Sequence, residues 1–577
     1  MKQFKDPIYG YVSIDRNIVA NIIDTPEFQR LRYIKQTSYL PVYSAALHNR
    51  FVHSLGVYFL GKKACEALFK NSKDIIDEYN IELQIKNIFE LACLLHDVGH
   101  APFSHSGEDF YIDDEKTIYN LLVETVADDD FSTDVIKYYH ANGKTAAPHE
   151  IMSVIVALKQ FSCFFHNAKE RSFFARCITG YKYRDTEKNA ENAILNAFVS
   201  LLNSTTIDVD RLDYLIRDAY VMGYNSISID YDRLLSNTIL VKVQDSIDHA
   251  PIQLAYKKSA LSVIENVIYA HDAEKKWIQN HPVILYEVFL IQQLLASVKS
   301  NYKKRTNMDL FSLNSLLPAN GVPDGLIYLK AKEVLEDLQN SKYKDELKDQ
   351  LRELEEYVIN SHIPEKISLL CDDDIIHFAK AINPIFAKEL FNRNERHHPI
   401  WKSESEYKIY VDGFIGDESY EELQSQIKLL IKFLSEEAPK PSINQEAIDK
   451  CTSLLESIPS SDFSDPDKAD MTHRYTIILN WLNAFKKIVE EQSLKIFDFV
   501  IVTASNFESS FKKEDLGNTP IYFPETGKTQ PLKKLINLFS IKDIDRRNFF
   551  YVYYKKSNEE KIDALCVGKM IAKLILG

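Results

Sequence analysis

The run His96-Asp97-Val98-Gly99-His100-Ala101-Pro102-Phe103-Ser104-His105 places an adjacent His-Asp pair and two further histidines within ten residues. Imidazole nitrogens and carboxylate oxygens without sulfur suit Zn, Fe, Mn, Ni or Mg held with coordination positions left open for water. Adjacent residues on a helix point about 100° apart. His96 and Asp97 can therefore reach one ion only if it lies beside a helix end and other elements complete its shell. His53 and Asp210 have the right types to complete it. A divalent metal so held activates water and polarises a phosphoryl oxygen, so nucleotide-type metallohydrolysis is the first chemistry this sequence offers. Taken singly, His53 fits a core histidine satisfied by its neighbours and Asp210 fits a helix cap or a partner of Arg211. The run at 96–105 differs, because Gly99 and Pro102 stop the helix where the donors sit.

The element that must carry His96 reads as a helix over 85–96. Ile85, Ile88, Phe89, Ala92, Leu95 and His96 fall on neighbouring positions of one face, and the histidine points where the core does. A second helical stretch at 190–220 bears Ile194, Ala197, Phe198, Leu201 and Leu202, then Ile207-Asp208-Val209-Asp210-Arg211-Leu212-Asp213-Tyr214. A third spans 259–300. Seven of the sixteen histidines lie between His48 and His149. Together these describe a mainly α protein, a helical bundle around a polar centre. After residue 400, Tyr407–Val411, Ile496–Val502 and Phe549–Tyr554 are short β-branched and aromatic runs that predict strands. The expected organisation is a catalytic helical domain over 1–320, a charged helical extension over 321–400, and a C-terminal α+β lobe over 401–577. That lobe carries an inserted helical segment near 415–490 and a loop at Ser457–Pro466.

Composition sets outer limits. The chain has 577 residues, 45% hydrophobic and 26% charged, the profile of an ordinary soluble protein. It shows no run long enough for a membrane span and no signal-peptide pattern at Met1–Arg16, so a cytoplasmic location is expected. Seven cysteines without a CxxC argue for reduced, buried thiols rather than a thiolate metal site or a disulfide framework. A net charge of -14 disfavours extended nucleic-acid binding, which draws its affinity from Lys and Arg on phosphates. A small phosphorylated substrate needs only a metal and a local cluster of cations.

The contexts Asn49-Arg50-Phe51-Val52-His53-Ser54-Leu55-Gly56, His96–His105 and Ile207–Tyr214 resemble the HD-domain deoxynucleoside triphosphate triphosphohydrolases, most closely the SAM-and-HD-domain enzymes of animals and bacterial dGTPase-like relatives. Asp6-Pro7-Ile8-Tyr9-Gly10 and Ile23–Gln36 are similar to that family's N-terminal motifs. A bare HD dipeptide says little; extended motifs in order over the first 220 residues say much more.

The resemblance implies an HD-domain helical bundle with a smaller C-terminal α+β lobe, binding a divalent metal through His53, His96, Asp97 and Asp210. It implies phosphate-side or catalytic roles for His100, His105 and His149, with Glu108 as the acidic partner where relatives carry Asp. The expected proton donor to the leaving 5′ oxygen is His100. Arg50, Arg211, Tyr214 and Asp218 match phosphate and sugar contacts, and Gln36 matches a sugar contact. Asp24 and Arg32 match positions that read an activating nucleotide in regulated relatives, although Lys5 stands where Asn is expected. After Gln36, Thr37-Ser38-Tyr39-Leu40-Pro41 replaces an apolar residue and a glycine run, which leaves deoxy against ribo preference open.

The expected activity is cleavage of a dNTP to a deoxynucleoside and inorganic triphosphate, serving pool control or antiphage defence. A homo-oligomer, an activating nucleotide and a regulatory protein partner, with 415–490 as a candidate surface, accompany that expectation. The competing readings are an HD phosphohydrolase of another nucleotide and a nucleotide sensor controlling a partner protein.

Overall fold

A computed structural model describes residues 1–37, 41–81, 83–108, 115–142, 146–186, 189–224, 227–242, 252–306, 372, 389–390, 396–458, 466–504, 517, 519–536, 548–555 and 561–577. Most of the expected extension at 321–400, with its charged run, lies outside these residues, as do Ser38–Leu40, Asp109 and most of the loop at 457–466. The protein is mainly α, with a smaller region that combines helices and strands. Its residues group into two compact units. The first comprises Met1–Glu274, Ile291–Ala387 and Ser509–Lys542; the second comprises Lys275–Leu290, Lys388–Glu508 and Asp543–Gly577. Among the described residues no helix is long and apolar enough to cross a membrane.

In the first unit the principal helices are α1 (Arg50–Asn71), α2 (Leu83–Leu95), α3 (Glu115–Val126), α4 (Asp129–Asn142), α5 (Pro148–Gln160), α6 (Ala168–Thr179), α7 (Ala190–Leu202), α8 (Val209–Met222) and α9 (Leu261–Glu274). The last eight residues of α2, Ile88 through Leu95, are all buried. That half of the helix is thus interior on every side, and its end delivers His96 and Asp97 into the protein rather than to its surface. Each fully buried Leu or Phe in such a helix contributes roughly 1.5–3 kcal/mol, so packing, more than propensity, fixes the position of that end.

Caps set where the other site helices begin. The Asn49 side chain accepts from Val52 N and starts α1, and the Asp208 side chain accepts from Arg211 N and starts α8, each satisfying a donor the first turn would otherwise leave open. The expected continuous helix over 190–220 is divided into α7 and α8 by the segment 203–208. Gly223 at φ 69 closes α8 in the left-handed region.

An antiparallel hairpin, Lys2–Asp6 with Gly10–Ile14, opens the chain. A four-stranded sheet orders Thr238–Lys242, Ile252–Lys257, Pro520–Phe523 and Lys528–Pro531. Its middle pair is parallel, with Tyr256 opposite Ile521.

The second unit contains helices α10 (Tyr420–Glu436), α11 (Gln445–Glu456), α12 (Pro466–Glu491) and α13 (Ala564–Leu576), and a three-stranded antiparallel sheet of His398–Pro399, Phe549–Tyr554 and Phe499–Ala504. The strands expected near 496–502 and 549–554 pair directly, with Val500 opposite Tyr553, and 415–490 is largely helical. The strand expected at Tyr407–Val411 is instead helical: Glu404–Tyr407 continues into a π turn at Lys408–Asp412. Ser403 caps it by accepting from Glu406 N. Tyr407 and Val411, four residues apart, are both buried, and a Cβ on Gly568 of α13 would collide with the Tyr410 carbonyl. Burial at helical spacing and this close helix contact override the strand preference of Tyr, Ile and Val.

Candidate active site

α1, the turn after α2, and the first turn of α8 bring His53, His96, Asp97 and Asp210 together. His53 Nε2 lies 3.2 Å from His96 Nε2 and 3.0 Å from Asp210 Oδ1. Asp97 oxygens lie 3.6 Å from His53 Nε2 and 3.4 Å from His96 Nε2, and Asp210 Oδ1 lies 3.6 Å from His96 Nε2. An ion at about 2.1 Å from each donor separates donors by about 3.0–3.4 Å; His53, His96 and Asp97 form a group close enough to hold one, with Asp210 Oδ1 beside the two imidazoles.

Proton bookkeeping makes the fit stronger. His96 Nδ1 is 3.0 Å from the Cys93 carbonyl and His53 Nδ1 is 2.7 Å from Asp213 Oδ2. A carbonyl and a carboxylate only accept, so both Nδ1 atoms carry hydrogens. In neutral rings the two Nε2 lone pairs then face each other, with two carboxylates beside them. A cation, proton or metal, must lie between. The same field acts on His53: burial alone would lower its pKa, but hydrogen bonds to Asp210 and Asp213 outweigh burial and raise it to about 10.

Asp213 fixes His53 from behind. It is fully buried, takes two hydrogen bonds from Arg217 at 2.9 and 3.0 Å, and Arg217 reaches Asp6 Oδ2 at 3.0 Å. Although burial opposes it, the Arg217 guanidinium brings the Asp213 carboxyl down to about 2. Such partners set a ligand's tautomer and ring orientation. A Cβ on Gly56 would collide with Asp213 Oδ1 and the Arg217 guanidinium, and one on Gly99 with the α5 backbone at Met152 and Ser153. Glycine is required at both positions to let α1 approach α8 and the HD turn approach α5.

A second cluster adjoins the first. Glu108 Oε1 lies 2.6 Å from His105 Nδ1, 3.0 Å from His149 Nδ1 and 3.5 Å from His100 Nδ1, and His100 Nε2 is 3.3 Å from Asp97 Oδ1. The His100 and His149 rings stack at 4.2 Å. Burial and the Arg50 charge push His100 well below its ordinary pKa. For His149, burial acts downward but Glu108 outweighs it, raising the pKa to about 9. Glu108 is held well below the usual carboxylate range: burial would raise it, and the charges and hydrogen bonds of His149 and His105 prevail. At neutral pH the charge therefore resides on His149 rather than on His100, the expected proton donor. Phe103 and Ser104, which lead into His105, sit at φ 61 and 54, a strained conformation for residues with side chains. Asp372 Oδ1 holds the Phe103 amide at 2.6 Å.

The sides of this double cluster differ in exposure. The His53 and Asp97 side chains are 0% and 2% exposed, whereas Asp210 is 39% and His105 67% exposed. Asp210 and His105 mark the exposed side of the double cluster.

The remaining expected site residues are placed as follows. Arg50 donates to Asp97 Oδ2 at 2.8 Å and to Ser104 Oγ at 2.9 Å. Arg211 donates to the Thr206 carbonyl at 2.6 Å, and the half-buried Tyr214 lies one turn further along α8. Asp218 Oδ1 is 2.6 Å from His48 Nε2. Gln36 is buried, and its Oε1 finds no hydrogen-bond partner among the described residues. Asp24 forms an exposed pair with Lys2 at 3.5 Å and lines a small cavity with it. Arg32 does not line that cavity; it stacks on Phe51 at 3.5 Å and donates to Gln29.

Asp213, Arg217, Asp6, Gly56 and His48 were not singled out from the sequence. Asp213 could have been, because three residues after Asp210 on a helix it shares that residue's face. Arg30, which donates to the carbonyls of Val98 and His100 and so braces the HD turn, carried no such signal.

A buried His, an adjacent His-Asp pair and a later Asp, converging from separate helices on one cation position, define an HD-type centre. The family model described as the HD domain matches residues 50–157, the stretch that holds His53, His96, Asp97 and the second histidine cluster. The chain is 30% identical over 52% of its length to an uncharacterized protein of Bacillus subtilis (strain 168), covering 56% of that protein. It is 34% identical over 39% of its length to the deoxynucleoside triphosphate triphosphohydrolase SAMHD1 of Gallus gallus, covering 34% of it. The chain thus spans about half, or less, of the curated relatives it matches. A solved structure of a phosphohydrolase from Bacteroides thetaiotaomicron VPI-5482 has a TM-score of 0.51 at 17% identity, over 96% of this chain and 100% of that one, which is a likeness of fold.

Proposed function

We propose that this protein is a metal-dependent dNTP triphosphohydrolase that cleaves a dNTP to a deoxynucleoside and inorganic triphosphate. The observation that carries the reading is the pair of facing imidazole Nε2 atoms, 3.2 Å apart and flanked by Asp97 and Asp210, beside histidines of opposite protonation. The likeness to SAMHD1 supports the choice of substrate.

His53, His96, Asp97 and Asp210 hold a divalent ion (Mg, Mn, Fe, Zn or Ni), which supplies Lewis acidity toward water and a phosphoryl oxygen. Water adds to the α-phosphorus, the bond to the 5′ oxygen breaks, and that oxygen takes a proton. His149, kept charged by Glu108, carries the proton that the leaving oxygen needs. His100, held neutral, and the accessible His105 line the phosphate side. Arg211 and Tyr214 lie on the same helix as Asp210 and contact the phosphates, while Arg50 orients Asp97. Gln36 and Asp218 meet the sugar. Asp24 and Arg32 form part of an activating-nucleotide site in a homo-oligomer, and the biological setting is dNTP-pool control or antiphage defence, with a regulatory protein partner acting at 415–490.

The test is to incubate the purified protein with each dNTP and NTP, singly and in pairs, with Mg, Mn or Fe, and to resolve the products chromatographically. Deoxynucleoside and triphosphate are expected. Triphosphate formed only from pairs of nucleotides supports activation. Monophosphate with pyrophosphate would exclude the reaction, and tight nucleotide binding without turnover would identify a sensor instead.

A further inference from the structure

A cavity of about 590 Å³ lies in the first unit, within the usual range of small-molecule sites. Its walls come from α4, the end of α6, α7, the segment 203–207 and the strand Ile252–Lys257. None of the HD-centre residues lines it.

The charge of the lining is unusual for this chain. The protein is 26% charged with a net charge of -14, yet among its twenty-one lining residues there is one cation, Lys182, and no carboxylate. Lys182 lines the cavity and has no ion pair among the described residues. Desolvation by the surrounding walls lowers its pKa, which marks an ammonium that gains by meeting an anion.

The neutral groups have their own pattern. Tyr183 is fixed in place: its N–H donates to Asn196 Oδ1 and its carbonyl accepts from Asn196 Nδ2, both at 2.8 Å, and one face of its ring is covered by Arg176 at 3.9 Å. Tyr138 and Tyr256 add aromatic surface. Gln253, half-buried on the strand, offers an amide with no hydrogen-bond partner among the described residues. Thr206 and Thr519 pair their hydroxyls at 3.0 Å at one side.

One lysine offsets about half the charge of a phosphate monoester, about -2 at neutral pH, and far less of a triphosphate's. Aromatic rings with amides and hydroxyls suit a planar heterocycle and its sugar. We propose that this cavity is a binding site for a nucleoside monophosphate, with Lys182 as counter-ion to the phosphate and the tyrosine- and amide-lined wall receiving the base. The site stands apart from the HD centre, and the proposal holds whether or not that centre hydrolyses dNTPs.

The experiment is calorimetric titration of the full-length protein, treated with chelator, with dAMP, dGMP, dCMP, dTMP and the corresponding nucleosides, in parallel with variants. Expected is saturable binding of at least one monophosphate, weakened about tenfold or more in Lys182→Ala and Lys182→Glu and retained within about threefold in Lys182→Arg. Its nucleoside binds correspondingly more weakly. His96→Ala, which disrupts the HD centre, leaves this binding intact, while Ser200→Tyr, which projects from α7 into the cavity, blocks it. No saturable binding of any monophosphate at millimolar concentration would overturn the proposal. So would affinity indifferent to Lys182, or affinity lost in His96→Ala and kept in Lys182→Ala.

Discussion

Two buried histidine–carboxylate clusters, one in each unit, use nearly the same residue types and balance their charge by different means. In the second unit His397 lies between Glu389, at 3.1 Å from Nδ1, and Asp498, at 3.4 Å from Nε2. The Tyr286 hydroxyl reaches both Glu389 Oε2 and His397 Nδ1 at 2.8 Å, and Lys555 is 3.2 Å from Glu389 Oε1. Two carboxylates face a histidine and a lysine. Burial opposes charging His397, but hydrogen bonds to Asp498 and Glu389 raise its pKa, so the cluster neutralises itself with its own side chains. In the first unit Asp97 has Arg50 and Asp213 has Arg217, whereas Asp210 feels Arg211 only at a distance and is met directly by two imidazoles whose Nδ1 hydrogens are already committed. Carboxylates draw both His53 and His397 toward the charged form; what separates the clusters is that a lysine shares the second, whereas the first brings two imidazole Nε2 atoms face to face and needs a cation, proton or metal, between them. Residue type alone does not distinguish them; the count of donors against acceptors does.

The largest effect should come from removing a donor of the first unit's cluster. His96→Ala is expected to lose metal binding and turnover together while its thermal unfolding stays cooperative; retention of metal by calorimetry or of activity would place the cation elsewhere. The matching change in the second unit's cluster, His397→Ala, leaves two buried carboxylates with one lysine between them. It should cost about 3–5 kcal/mol of stability without altering metal affinity, read by denaturant titration beside a metal-binding isotherm. A fall in metal affinity at equal folded fraction would undo the contrast.

Next in size is Asp213→Asn, which keeps the shape behind His53 but weakens its hold on the ring. Partners of this kind are worth about 10–100-fold in metal affinity, so the isotherm should shift by that factor with a smaller change in unfolding midpoint. An unchanged isotherm would mean that His53 needs no orientation from behind.

How much of this was legible in the sequence follows from the range of the interactions. The helix ending at His96 could be read because its burial repeats locally, every three or four residues, and the His-Asp pair with its glycine and proline stop is a local pattern as well. His105, Glu108 and His149 were named from motif likeness, and the structure brings them within 3.0 Å of a shared oxygen. What escaped were contacts closed over long loops. Arg217 meets Asp6 across 211 residues, Gly56 matters because of a carboxylate 157 positions later, and neither leaves a periodic trace. Tyr407–Val411 was read as a strand because β-branched and aromatic content outweighed the i, i+4 burial that only packing against α13 reveals. The shift of charge from His100 to His149 depends on Arg50 acting on one ring and Glu108 on the other, contacts that only the fold closes.

A smaller effect concerns pH. His149 rises from 6.5 to about 9 on folding, so its contribution is complete below 6.5 and is lost as pH rises through about 9. Glu108 falls from 4.5, so its contribution is present above 4.5 and is lost on acidification through its lower folded value. The pair is at full strength between about 4.5 and 6.5 and fades toward 9. Melting temperature against pH should therefore separate the parent from His149→Gln most strongly in that window, with the two curves converging above about pH 9. Parallel curves throughout would mean that Glu108 and His149 do not share a proton-linked interaction.

The smallest expected effect tests a contact of neither kind. Asp24 and Lys2 lie 3.5 Å apart with 51% and 47% of their side chains exposed, and such pairs contribute about 0–1 kcal/mol because water and salt screen them. Asp24→Ala should therefore change the unfolding midpoint hardly at all, unlike either buried cluster. If Asp24 helps read an activating nucleotide, the same variant should lose the extra turnover obtained with nucleotide pairs while its metal isotherm stays that of the parent. Activation equal to the parent's would remove Asp24 from that role, and a marked loss of stability would show that the exposed pair carries structural weight its geometry does not predict.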